Sequence, residues 1–154
     1  MSAILAPSLR FRRMQQFDLK KIIEIETAAY QFPWTQQIFS DCLRVGYQAQ
    51  VLERQQQIIS YGLMSLGAGE AHLLNLCVDP DYHNCGYGRL MLSRLLRLAK
   101  QHQTDSIFLE VRPSNQAAIK LYLKMGFNQV GVRHNYYPLS PKSREDALIF
   151  ALTL

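Results

Sequence analysis

The chain has 154 residues, enough for one domain whose core needs neither disulfides nor metal. Its 48% apolar and 19% charged content is that of an ordinary globular protein, which sets disorder aside. The net charge of +5, from 17 basic and 12 acidic side chains, comes without dense basic runs interleaved with aromatics, and no apolar run approaches the ~18 residues of a membrane span, so neither stable nucleic-acid binding nor a membrane protein is expected.

The amino-terminal stretch MSAILAPSLRFRR carries its basic residues after the apolar ones, the reverse of a secretory leader, and points to a cytoplasmic protein. Leu9 to Arg13 reads as a short strand. Asp18 reads as the N-cap of a helix running to about Tyr30, with Leu19, Ile22, Ile23 and Ala29 favouring one face. Pro33 interrupts. Trp34 and Thr35 begin a second short helix, capped by Thr35, with Ile38, Phe39, Cys42 and Leu43 on one side. Tyr47 to Leu52 and Ile58 to Leu66 read as strands joined by the polar turn ERQQQ. Glu70 to Val78 is a third, ended by Asp79-Pro80 because proline cannot donate to a ladder. Gly86 to about Gln103 is a helix, with Leu92, Leu95, Leu96 and Ala99 at helical spacing. Ser106 to Arg112 alternates as a strand. Ser114 reads as the cap of a helix that ends at Gly126, a good terminal glycine. Phe127 to Arg133 and Ala147 to Leu154 close the chain as strands. The expectation is one α/β domain over residues 1–154, with a mixed sheet flanked by helices.

The three cysteines (Cys42, Cys77, Cys85) are odd in number and lack CxxC spacing, which argues against a disulfide framework and a zinc site. The four histidines (His72, His83, His102, His134) form neither HxxH nor HExxH, so no metal is expected. The turn VDPDYHNCGYGRLML joins a strand to a helix. Gly86 and Gly88 let the backbone turn sharply and approach a ligand closely, and the unpaired N–H groups of the next helix face the turn. Such a site suits phosphate oxygens. Alone, GxG before a helix also marks mere tight packing. Arg89, Arg94, Arg97 and Lys100 follow it, a placement that suits a phosphate-bearing small molecule.

This turn, with the block LEVRPSNQAAIKLYLKMGF, resembles the cofactor-binding and catalytic segments of the GCN5-related N-acetyltransferase (GNAT) family. That family's turn reads Q/R-x-x-G-x-G/A, and His83 stands here where Gln or Arg is usual. FPW at Phe32 to Trp34, NYYP at Asn135 to Pro138 and REDALI at Arg144 to Ile149 narrow the resemblance to the RimI-type branch, which acetylates the N-terminal alanine of a ribosomal protein. The likeness covers nearly the whole chain. It implies a splayed mixed sheet, acetyl-CoA as co-substrate, and the pantetheine arm in the gap between the strand ending at Val78 and the next. It also implies cofactor contacts from the backbone of Leu76, Cys77 and Val78, from the turn His83, Asn84, Cys85, Gly86, Tyr87, Gly88 and Arg89, and from Asn115.

Acetyl transfer from a thioester to an amine needs a base for the amine, stabilisation of the carbonyl oxygen and a proton for the leaving thiolate. Glu110 lies amid apolar strand residues, where a carboxylate is costly without a partner or a task. Pairing with Arg112, or a place on the surface face of the strand, is one reading and general base the other; the resemblance implies the base. An α-amine titrates at about 8 and lysine at about 10.4, so an N-terminus asks less of that base. Tyr122 shares a helix face with Ala118, Leu121 and Met125. It reads as a core tyrosine or as a general acid, since a phenol of about 10 can protonate a thiolate whose thiol titrates near 8.5. The resemblance implies the acid. Asn115 can equally be a plain helix-start residue. A backbone N–H near Cys77 can stabilise the oxyanion. Cys77 as a covalent nucleophile is set aside, because no histidine lies nearby in sequence. Phe32, Trp34, Tyr136 and Tyr137 are expected to line a groove for a peptide end, or else to pack loops over the core. Two other readings stay open: an acetyltransferase for a small-molecule amine, and a non-catalytic acyl-CoA-binding or ribosome-associated module.

Overall fold

The computed structural model describes residues 7–154. The first six residues of the stretch read above as no leader lie outside the described residues. The elements are β1 (Leu9–Arg13), α1 (Leu19–Ala29), α2 (Gln36–Arg44), β2 (Gln48–Arg54), β3 (Gln57–Gly67), β4 (Glu70–Val78), α3 (Tyr87–Gln101), β5 (Ser106–Val111), α4 (Gln116–Lys124), β6 (Asn128–Ser140) and β7 (Ser143–Thr153). The strands form one seven-stranded sheet in the order β1-β2-β3-β4-β5-β7-β6. Every neighbouring pair but one is antiparallel; β2-β3, β3-β4 and β6-β7 are hairpins, whereas β1-β2 and β5-β7 are joined through intervening elements. The exception is β4 with β5, because α3 carries the chain back across the sheet between them.

Each face of the sheet has its own core. Met91, Leu92, Leu95 and Ala99 of α3 bury with Ile59, Leu73, Leu109, Tyr122 and Phe150. On the other face Leu19, Ile22 and Ile25 of α1 and Phe39 and Cys42 of α2 bury with Val51, Tyr61, Leu63 and Cys77. Truncating any of these large apolar side chains to Ala costs about 2–5 kcal/mol. Helix α3 lies so close on β3 that a Cβ at Gly62 would sit 2.6 Å from Leu95 Cδ1 and 3.1 Å from Met91 Cγ.

Two features of β4 position the site. It pairs with β5 only from Glu70 to His72. It also carries a bulge: Leu73 faces Met64 and Asn75 faces Leu63, which leaves Leu74 unmatched. The extra residue inverts the alternation, so Leu73 belongs to the α3 core and Cys77 to the α1 core. The bulged strand bends away from β5, and the two splay apart.

The expected element order and the mixed, splayed sheet are present, with four local corrections. Asp18 does not cap α1 with its side chain. It is buried, accepts from the Gln15 N–H at 2.7 Å and pairs with Arg12 at 2.8 Å. Asn115, not Ser114, caps α4 by accepting from the Ala118 N–H; Ser114 is engaged by Glu145 instead. Ile38 is exposed, while on α1 Ile25 joins the buried face, with Ile23 packed partly buried against the same core. The last two strands are longer than expected, because their hairpin continues outward through several register shifts and takes NYYP into β6.

Candidate active site

Where β4 and β5 diverge, a cleft of about 190 Å³ opens between them. Leu73 to Leu76 form one wall and Leu109 to Arg112 the other. Asn115, the cap of α4, with Ala118 and Tyr122 on that helix, Glu26, Tyr30, Phe32 and Trp34 from α1 and the segment after it, and Tyr137 of β6 complete the lining. The cleft therefore gathers Glu110, Tyr122, Asn115, Leu76, Phe32, Trp34 and Tyr137 from the residues singled out in the sequence. Tyr136 stands apart from it, 46% exposed, with its ring against Tyr137 and beneath Arg133. The turn from His83 to Arg89 lies beyond the lining residues.

Leu109 and Val111 face the core, so strand alternation sends Glu110 to the other face. One carboxylate oxygen lies 2.5 Å from His72 Nε2 and the other 3.4 Å from Arg133 Nε. Glu110 is thus paired, but not with Arg112 as the sequence allowed. Arg112 leaves the strand and donates to Pro138 O at 3.0 Å and Glu145 at 3.2 Å. Burial alone would raise the Glu145 carboxyl. The hydroxyl and backbone N–H of Ser114, with Arg112, outweigh it and hold the group below its ordinary value.

Tyr122 is buried on α4 against Phe127 and Phe150. No protein group hydrogen-bonds its hydroxyl among the described residues. Burial, with a smaller contribution from Tyr137, pushes the phenol above its ordinary value of 10.0, so it keeps its proton at any working pH. Burial likewise pushes Tyr137 up to about 12, with the charge of Glu110 adding to the effect. The Cys77 thiol is pushed up to about 12, chiefly by burial, which leaves no thiolate to act as a nucleophile.

Sequence reasoning missed one polar cluster at the cleft. Glu26 is only 1% exposed, yet its carboxylate accepts from the Tyr61 hydroxyl at 2.6 Å, the Asn75 amide at 3.1 Å and the Trp34 N–H at 2.9 Å. It ties α1, β3 and the bulged part of β4 to the segment carrying Phe32 and Trp34. Tyr30 donates to Leu76 O at 2.6 Å. A signal existed: Glu26 falls on the same helix face as Leu19, Ile22 and Ala29, where a charge needs a reason. His72 had none, since its partner lies 38 residues away.

The donors present fit an acyl-CoA. Beyond His72 no strand pairs with the β5-facing edge of β4 among the described residues, and that edge runs to the glycine-rich turn. There Asn84 and Gly86 are left-handed, at φ 61° and 83°, and a Cβ on Gly86 would meet nothing within 4 Å. Successive N–H groups in such a turn, at the start of a 15-residue helix, form a concavity for anions. His83 folds back to donate from Nε2 to Val78 O at 2.9 Å, bracing the turn. Cys85 turns its thiol to His83 O at 3.4 Å, while Tyr87 packs on Tyr82.

Known proteins resemble this chain in sequence and fold. The Acetyltransferase (GNAT) family profile matches residues 15–127. The [ribosomal protein bS18]-alanine N-acetyltransferase of Escherichia coli (strain K12) is 36% identical over 141 residues, 92% of this chain and 95% of that protein. The enzyme of the same name from Haemophilus ducreyi is 37% identical over 137 residues, 89% and 94% of the two chains. The crystal structure of the Escherichia coli ribosomal-protein-S18-alanine N-acetyltransferase superposes with a TM-score of 0.88 at 35% identity, covering 95% of this chain and 94% of that one. A bulged strand diverging from its parallel neighbour, a braced glycine turn and this likeness along almost the entire chain agree, and the protein belongs to the GNAT family of acetyltransferases, among its RimI-type members.

Proposed function

We propose that this enzyme transfers the acetyl group of acetyl-CoA to the N-terminal α-amine of a protein, with the N-terminal alanine of a small-subunit ribosomal protein as its acceptor. The whole chain works as one catalytic domain in the cytoplasm. The observation that carries this reading is the meeting of Glu110 and Tyr122 in one cleft whose mouth is aromatic. The relatives named as ribosomal-protein-alanine N-acetyltransferases, similar over nine-tenths of the chain, supply the acceptor.

The thioester supplies the acyl group. The N–H groups of the turn from His83 to Arg89 hold the phosphates, the backbone of Leu76, Cys77 and Val78 lies along the pantetheine arm, and Asn115 adds a side-chain contact. Glu110, fixed by His72, takes the proton of the acceptor ammonium, directly or through a water. A backbone N–H of bulged β4 faces the carbonyl oxygen as it gains charge. Tyr122 gives its proton to the departing sulfur. Phe32, Trp34 and Tyr137 hold the peptide end, with Tyr136 at its outer rim.

The test is to incubate the enzyme with acetyl-CoA and peptides beginning Ala, Ser, Gly and Met, and to locate the acetyl group by mass. Acetylation on the α-amine, fastest for Ala, is expected. Acetylation of lysine side chains alone, or of polyamines in preference to every peptide, would overturn the reading.

A further inference from the structure

We infer that Arg112 sets the width of the acceptor groove and thereby decides which first residues the enzyme accepts. This rests on N-terminal acetylation as the reaction. The guanidinium of Arg112 lies between two rings, 4.8 Å from the Phe32 centroid and 4.3 Å from that of Tyr137. Phe32 comes from the segment between α1 and α2, and Tyr137 from β6, so Arg112 bridges the two lips of the cleft that it also lines. A flat cation can stack on both lips at once, which a lysine ammonium cannot do. Its edge is anchored as well: Pro138 O and Glu145 accept from Nη1, and Glu145 is itself held by the N–H and hydroxyl of Ser114.

The spacing of the lips is therefore fixed before any acceptor arrives. A first residue with a small side chain fits beside the plane of Arg112, whereas a bulky one must displace it and break both stacks and both hydrogen bonds. Selection by exclusion of this kind is stronger than the gain of a single methylene contact, which is worth about 10–200-fold.

The test compares kcat/KM of wild type, Arg112→Ala and Arg112→Lys on peptides that differ only in a first residue of Ala, Met or Phe, and measures acetyl-CoA affinity by calorimetry. The Ala-over-Phe ratio is expected to fall at least about tenfold in both variants, the scale of a lost steric distinction, with acetyl-CoA affinity nearly unchanged. An unchanged ratio in a folded variant would overturn the inference. So would a uniform loss on all three peptides, or full retention of the ratio in Arg112→Lys, which would make charge rather than stacking the device. If Arg112→Ala fails to fold, Phe32→Leu and Tyr137→Leu each remove one slab and should lower the same ratio. A wild-type enzyme inactive on every peptide would sink the N-terminal reading underneath, an outcome distinct from an active enzyme whose selectivity ignores Arg112.

Discussion

Removing the Tyr122 oxygen is a small change with two separable readouts. The ring packs against Phe127 and Phe150, while the hydroxyl has no protein partner among the described residues, so Tyr122→Phe leaves the core filled. Melting temperature and acetyl-CoA affinity should stay nearly constant while turnover falls by ~10²–10⁴. An activated aryl thioester that still binds should be affected far less, because its leaving group departs without a proton; equal slowing on both donors would make Tyr122 an orienting residue. For Glu110→Gln the loss should be greatest at low pH, where the amine is protonated, and should shrink as pH passes about 8 and free amine appears unaided. A loss independent of pH would leave Glu110 only a positioning role. Asp18 carries the stability prediction. Burial alone would raise its carboxyl, but the hydrogen bonds from Arg12 and the Gln15 N–H, with the Arg12 charge, win and hold it below its ordinary 3.8. As pH falls, the unfolded chain binds that proton first. The stabilisation is thus complete above 3.8 and lost as pH drops through the lower folded value. Asp18→Asn should cost about 1–3 kcal/mol at neutral pH, since it weakens two charge-assisted hydrogen bonds from Arg12, which keeps Glu53 as its other carboxylate partner, and the difference should close in strong acid. Denaturant curves with a constant gap across that range would exclude the linkage.

The glycine-rich turn and the helix behind it form the element proposed to hold the cofactor's phosphates. Gly86 is left-handed with open space where a side chain would go, so Gly86→Asp should cost only ~1–2 kcal/mol in folding. Acetyl-CoA affinity should fall much more, by well over about tenfold, because a carboxylate then faces the phosphates. Unchanged affinity in a folded variant would remove the turn from the binding site. Elements of this kind were legible in the sequence because their signals are local: glycines before a periodic helix, Asp-Pro after β4, alternation in β5. Caps were less legible. Asp18 and Ser114 look like caps from spacing alone, yet Arg12 claims one and Glu145 the other, and neither partner is a neighbour in sequence. The reach of β6 through NYYP was hidden for the same reason, since its pairing with β7 resumes only after a gap.

At the scale of the molecule, the order of elements was readable from periodicity, and the gap after β4 only through the family resemblance. Periodicity orders strands and helices but does not reveal which side chains meet across a gap, and so Glu110 and Tyr122 were singled out by that resemblance while Glu26, His72 and the stacking of Arg112 emerged only from the packing. The bulge in β4 has its own consequence, seen most clearly as phase. Up to Leu73 the strand keeps one beat; from Asn75 it keeps the opposite one, and Leu74 is the skipped count. Excising Leu74 would leave Leu73 and Leu76 toward α3 and Asn75 and Cys77 toward α1, so neither core loses a member. What goes is the bend. The shortened β4 would run straight alongside β5 and continue its ladder past His72, healing the gap with ordinary strand pairing. The expected product is a protein that melts at or above the wild-type temperature, protects the β4 and β5 amides better in hydrogen exchange, and no longer binds acetyl-CoA. Should such a deletion bind the cofactor normally, the opening between the strands would owe nothing to Leu74.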